Sequence, residues 1–200
     1  MVTITGWAKG YSYTVGDRIT GPTNHAWNAI KINDEWYLID STWGAGYIRY
    51  GGFVRDFDEF YFLSPPEQFV YNHLPVDSRW QLLDKPLTKE EFAALPSVYS
   101  NFFNYGLSLG NNNQAVIQAK NNLQMNFPAP PGVYLLAELT HNGRELPESY
   151  TSCFRSAGGY VIQATLPETG TYNLVIYARK GSEYGTYNSV LEYKIIAGNN

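Results

Sequence analysis

Apolar and polar positions alternate along much of this chain with a period near two residues, the pattern of half-buried strands. Residues 25–32 and 36–40 are aromatic and aliphatic runs separated by Asn33-Asp34, a pair suited to a two-residue hairpin turn. If the turn holds only those two residues, cross-strand partners sum to 67. His25 then faces Thr42 and Trp27 faces Asp40. Side chains alternate faces along a strand, so His25 and Asp40 become diagonal neighbours on one face. A three-residue turn would put them on opposite faces.

Helical signals are few. The run DFDEFYFL over 56–63 reads equally as helix or strand. Ser64-Pro65-Pro66-Glu67 resembles a helix start with Ser64 as cap and prolines in the first turn. Thr88 and Glu91 fit a capping box, and Pro96 ends that helix. From residue 101 onward the pattern is strands throughout, with candidates at 114–120, 133–140, 159–165, 171–179 and 187–196. Turn-rich segments such as Gly110-Asn111-Asn112-Asn113 and His141-Asn142-Gly143 divide them. Five to seven short strands in that length predict an immunoglobulin-like sandwich, without the Cys–Trp–Cys core of antibody domains. The expected division is 1–100 and 101–200. Tyr99, Phe102, Phe103 and Tyr105 near that boundary suit an interdomain seam better than a partner surface.

Composition sharpens this picture. The 200 residues include 17 Tyr, 10 Phe and 5 Trp, with 18 Gly and 11 Pro, a mixture that favours short strands and turns. The formal charge of −4, with no basic run, argues against nucleic acid. No apolar stretch reaches the roughly 18 residues of a membrane span, and no signal peptide opens the sequence, so no membrane partner is expected. Cys153 is the sole cysteine and cannot close an intramolecular disulfide. The expected localisation is the cytoplasm, cytoskeletal association included.

Three histidines, His25, His73 and His141, offer little metal-ligand spacing, and phosphate-loop and G-x-S-x-G motifs are absent from the sequence. No metal or cofactor is expected. His73, in Asn72-His73-Leu74-Pro75, reads as a loop residue, and His141 as a solvent-facing turn residue. What remains is His25 with Asp40. A carboxylate bonded to one imidazole nitrogen fixes the tautomer and leaves the other nitrogen to activate a nucleophile. The competing reading is a strand-terminating Asp and a hydrogen-bonded histidine at the core edge.

The strings themselves go further than the spacing. Asn24-His25-Ala26-Trp27-Asn28-Ala29-Ile30 and Trp36-Tyr37-Leu38-Ile39-Asp40-Ser41-Thr42-Trp43-Gly44 resemble the His and Asp motifs of the transglutaminase-like superfamily, in its kyphoscoliosis peptidase branch. Gly6-Trp7-Ala8-Lys9-Gly10-Tyr11, residues 61–69 and residues 77–83 continue the resemblance, and the second half is similar to the immunoglobulin-like domain of that branch. The resemblance implies an α+β, papain-like core over 1–100, incomplete at its start, followed by the sandwich. It implies Cys-His-Asp acyl transfer on protein amides, with His25 as general base and acid, Asp40 orienting it, and Trp43 a packing neighbour. The nucleophilic Cys of the branch precedes the His, and the residues before His25 contain none, so the Cys-bearing segment is expected to be missing. The chain alone is then expected to be inactive. Its partner is a protein, either substrate or binding partner. The alternative is a non-catalytic protein-binding or structural module of the same family. Carbohydrate binding by the sandwich has little support, because the second half has no Trp.

Overall fold

The computed structural model describes residues 1–181 and 185–198. The chain forms two compact units, Met1–Ala93 and Ala94–Asn200.

The first unit is built on an antiparallel sheet. Its strands are β1 (Val2–Ala8), β2 (His25–Ile32), β3 (Glu35–Ile39), β6 (Phe62–Ser64) and β7 (His73–Pro75), in the order β6-β3-β2-β1-β7; β4 (Gly46–Arg49) and β5 (Gly52–Arg55) pair separately. Asn33 and Asp34 both adopt positive φ, 48° and 69°, as a two-residue turn matched to strand twist requires. The β2–β3 register runs from Ile32↔Glu35 to Asn28↔Ile39, so the partners do sum to 67. Ile4, Trp27, Ala29, Leu38, Phe69 and Leu74 fill the buried face. At Gly6, where β1 turns toward β7, a Cβ would collide with the Leu74 carbonyl and the Trp27 ring, so only glycine lets the strands approach this closely.

Helices here are short: α1 (Ser41–Gly44), α2 (Pro66–Phe69) and α3 (Lys89–Ala94). The unit is mostly β, with less helix than an α+β reading anticipates: α1 and α2 are single turns, and α3 is bounded by Pro86 and Pro96. Residues 56–63 divide between a 3₁₀ turn, Glu59–Tyr61, and β6. Ser64 does not cap α2. Pro65 occupies the cap position, and the Ser64 hydroxyl donates instead to the Phe60 carbonyl. The capping box at α3 forms as expected: the Thr88 amide donates to Glu91, and the Glu91 amide donates to the Thr88 hydroxyl.

The second unit is a two-sheet sandwich. One sheet is β10 (Asn122–Pro128), β14 (Gly159–Thr165) and β13 (Thr151–Ser156), in that order. The other runs β12 (Arg144–Glu145), β11 (Val133–His141), β15 (Gly170–Lys180), β16 (Asn188–Ala197) and β8 (Ser97–Val98), with β9 (Val116–Ala119) parallel to β16. Alternating burial places Val133, Leu135, Leu139, Leu174, Ile176 and Leu191 inside. β10 (NLQMNFP) carries a clean polar–apolar alternation that the strand candidates nevertheless omit, whereas β13 (TSCFRS) offers only Cys153 and Phe154 as apolar side chains and shows no period. Ser97 and Val98 extend the β16 edge, and α4 (Ser100–Asn104) buries Phe102 in this unit, so the division falls before residue 100. His141 is not a free turn residue: it ends β11 and stacks on Tyr172 with ring centres 4.2 Å apart.

Candidate functional site: one carboxylate between two imidazoles

The site assembles from three strand ends of the first unit. His25 opens β2, opposite Gly6 of β1. Asp40 leaves β3 in extended conformation and caps α1, its Oδ1 accepting the amides of Thr42 at 2.9 Å and Trp43 at 3.0 Å. His73 stands on β7, opposite Ala8. Asp40 Oδ2 accepts from His25 Nε2 at 2.6 Å and from His73 Nε2 at 2.9 Å. A carboxylate has no proton to donate, so both Nε2 atoms carry one, and Nδ1 of each neutral ring holds the lone pair.

Aromatic rings enclose this cluster. His73 stacks on Phe69 at 4.0 Å and meets Trp43 at 4.5 Å and Trp27 at 5.0 Å, while His25 lies 5.4 Å from Trp43. Asp40 and His73 are fully buried, and the His25 side chain keeps 15% of its surface. Burial by itself would raise the Asp40 carboxyl. The hydrogen bonds from His25 and His73, with that from the Trp43 amide, reverse this and hold it well below the usual carboxylate range. Burial pushes the His73 imidazole down, against the pull of Asp40.

His25 and Asp40, singled out from the sequence, therefore meet directly. The sequence predicts a loop at His73, and the fold corrects this: it is a buried strand residue and the second donor to Asp40. The only local signal was its apolar flank, Leu74-Pro75, since its partner Asp40 lies 33 residues away. The sequence spacing also gave no metal set, whereas the fold gathers His25, Asp40 and His73 with ligand atoms within 4.8 Å of one another. The Nε2–Oδ2 separations are those of hydrogen bonds. Atoms sharing a Zn²⁺ at about 2.0–2.1 Å would stand roughly 3.3 Å apart. Cys153 lies on β13 of the sandwich, opposite Ile162, and burial pushes its thiol up to about 11.

Residues 89–200 match the KY-like, immunoglobulin-like domain family, and the chain belongs to it. Its relatives place it in the kyphoscoliosis peptidase branch. It is 33% identical over 199 residues to the kyphoscoliosis peptidase of Mus musculus and 32% identical to that of Homo sapiens, covering 97% of this chain and 29% of each relative. It is also 32% identical over 123 residues to the Lim and transglutaminase domain protein ltd-1 of Caenorhabditis elegans, covering 56% of this chain and 17% of that protein. The chain thus spans less than a third of the relatives it matches.

Proposed function

We propose that this polypeptide is a non-catalytic, protein-binding or structural module of the kyphoscoliosis peptidase branch. It retains the His25–Asp40 pair of an acyl-transfer site without a working thiol. The carrying observation is Cys153, the sole cysteine: it sits within the sandwich, and burial pushes its thiol up to about 11, which disfavours the thiolate at neutral pH. Removing the nucleophile from such a triad costs on the order of 10⁴ to 10⁶ in rate. The partner is a protein, and the compartment is the cytoplasm or its cytoskeleton. The test incubates the purified chain with a glutamine-containing peptide and a fluorescent amine, and in parallel follows amide hydrolysis. No turnover above the Cys153→Ser background is expected, and Cys153-dependent turnover would refute the proposal.

A second reading is favoured by the 2.6 Å His25–Asp40 contact. In it, residues 1–100 form part of a transglutaminase-like core, His25 is the general base and acid, and a Cys supplied by a longer polypeptide attacks the amide. The imidazole takes the thiol proton, a thioester forms as the amine leaves with that proton, and water or another amine releases the acyl group. Sequencing the transcript upstream of Met1 tests it. An in-frame Cys within about 50 codons, followed by loss of the longer protein's activity on His25→Ala, is the expected result. A stop codon without a Cys would overturn it.

A further inference from the structure

A nucleophile–imidazole–carboxylate triad needs one imidazole, and this site has two on the same oxygen. We infer that His73 is a positioning residue, whose Nε2–H donated from β7 pins the Asp40 carboxylate so that His25 is held in its Nε2–H tautomer with Nδ1 as the proton-accepting nitrogen. The use of that tautomer in chemistry rests on the acyl-transfer reading; the tautomer itself does not, so the two can fail separately.

The geometry carries the inference. Thr42 and Trp43 amides occupy Oδ1, and the two imidazoles occupy Oδ2, so four donors fill the four lone-pair sites of one carboxylate. Such a group cannot turn without losing a bond. His73 is the fixed end of the arrangement, sealed between Phe69 and Trp43 with no exposed side-chain surface. His25, at the strand end and partly exposed, is the end that can move.

Packing alone does not explain the residue. The stack on Phe69 would be served equally by a phenylalanine. Instead His73 Nδ1 is buried with no hydrogen-bond partner among the described residues, although the Phe69 carbonyl is near enough to favour a proton there. The fold tolerates an unsatisfied buried nitrogen in order to keep the opposite N–H on Asp40. The ionisable groups facing His73 are His25, Asp40 and, at a ring distance of 6.2 Å, Tyr61. Burial disfavours charge on His73.

The test is a long-range ¹H–¹⁵N correlation spectrum of the intact, histidine-labelled chain as wild type, His73→Phe and His73→Gln, after dialysis against EDTA. In the wild type the neutral rings of both His25 and His73 are expected as Nε2–H tautomers. In His73→Phe the unpinned carboxylate is expected to turn away from His25, and the Nδ1–H form of His25 to rise about tenfold, the change that follows when His25 loses its own bond to Asp40. His73→Gln, whose amide keeps a donor, is expected to restore the wild-type tautomer. An unchanged His25 tautomer in folded His73→Phe would reduce His73 to packing and overturn the inference. So would an Nδ1–H His73 in the wild type, or ring-nitrogen shifts on removing metal, which would place a cation in the cluster. If His73→Phe fails to fold, His73→Gln decides: a wild-type tautomer supports the inference and a mixed one overturns it.

Discussion

Lys9 gives the sharpest test of the electrostatics of the first unit. It follows β1, is 7% exposed, and lays its ammonium over the Phe92 ring at 4.6 Å and the Tyr13 ring at 5.4 Å. Burial pushes it down to about 7. The folded value lies below the unfolded one, near 10.4, so between them the unfolded chain binds the extra proton and stability rises with pH. At about 1.36 kcal/mol per pH unit, and with the folded amine half protonated at pH 7, the gain from pH 7 to pH 9 is about 2 kcal/mol. All five Trp (Trp7, Trp27, Trp36, Trp43 and Trp80) lie in this unit, so urea unfolding followed by tryptophan fluorescence reads it without the sandwich. The window closes at pH 9 because Tyr13, raised to about 12 by burial, begins to oppose folding once unfolded tyrosine ionises near pH 10. Wild type is expected to gain stability across this window, and Lys9→Met, which keeps the apolar stem, to stay level. A level wild type, or an equal slope in Lys9→Met, would refute the argument.

Two further outcomes follow from the same physical reading. Asp40→Asn replaces the charged acceptor of two imidazole N–H groups with a neutral amide and is expected to destabilise the first unit by about 3 kcal/mol, the order of the hydrogen bonds to a charged group that are weakened or lost, in the same fluorescence assay; a loss under about 1 kcal/mol would show that the cluster contributes little. Cys153, pushed up to about 11 by burial on β13, is expected to alkylate slowly at pH 8 and progressively faster toward pH 11, whereas a rate already at its plateau by pH 8 would mean an activated thiolate.

What could be read from the residues was mostly local. Asn33-Asp34 specifies its own turn, and the turn specifies the register, so the approach of His25 to Asp40 was legible without any tertiary contact. Thr88 and Glu91 cap α3 through three intervening bonds of sequence and were equally plain. His73 was hidden because nothing near it in sequence explains it: β7 is three residues long and gains meaning only by pairing with β1. Ser64 misled because two prolines follow it, and Pro65 supplies the extended cap conformation that a serine side chain would otherwise stabilise. β10 was legible, since Leu123, Met125 and Phe127 alternate with polar residues as a half-buried strand should, whereas β13 was obscured because Cys153 and Phe154 are its only apolar side chains.

The two hydrogen bonds that meet at Asp40 Oδ2 belong to closures of different length, 15 residues to His25 and 33 to His73. Roughly one doubling of length separates them, which adds only about 0.6 kcal/mol of closure entropy. The order of events in time is set instead by what each closure must wait for. A hairpin with a two-residue turn closes locally on a microsecond scale, whereas β7 pairs only with β1 and waits on that longer-range closure. The carboxylate therefore meets His25 while the chain is still condensing. His73 arrives afterwards as a latch, closing around an arrangement that the hairpin has already drawn.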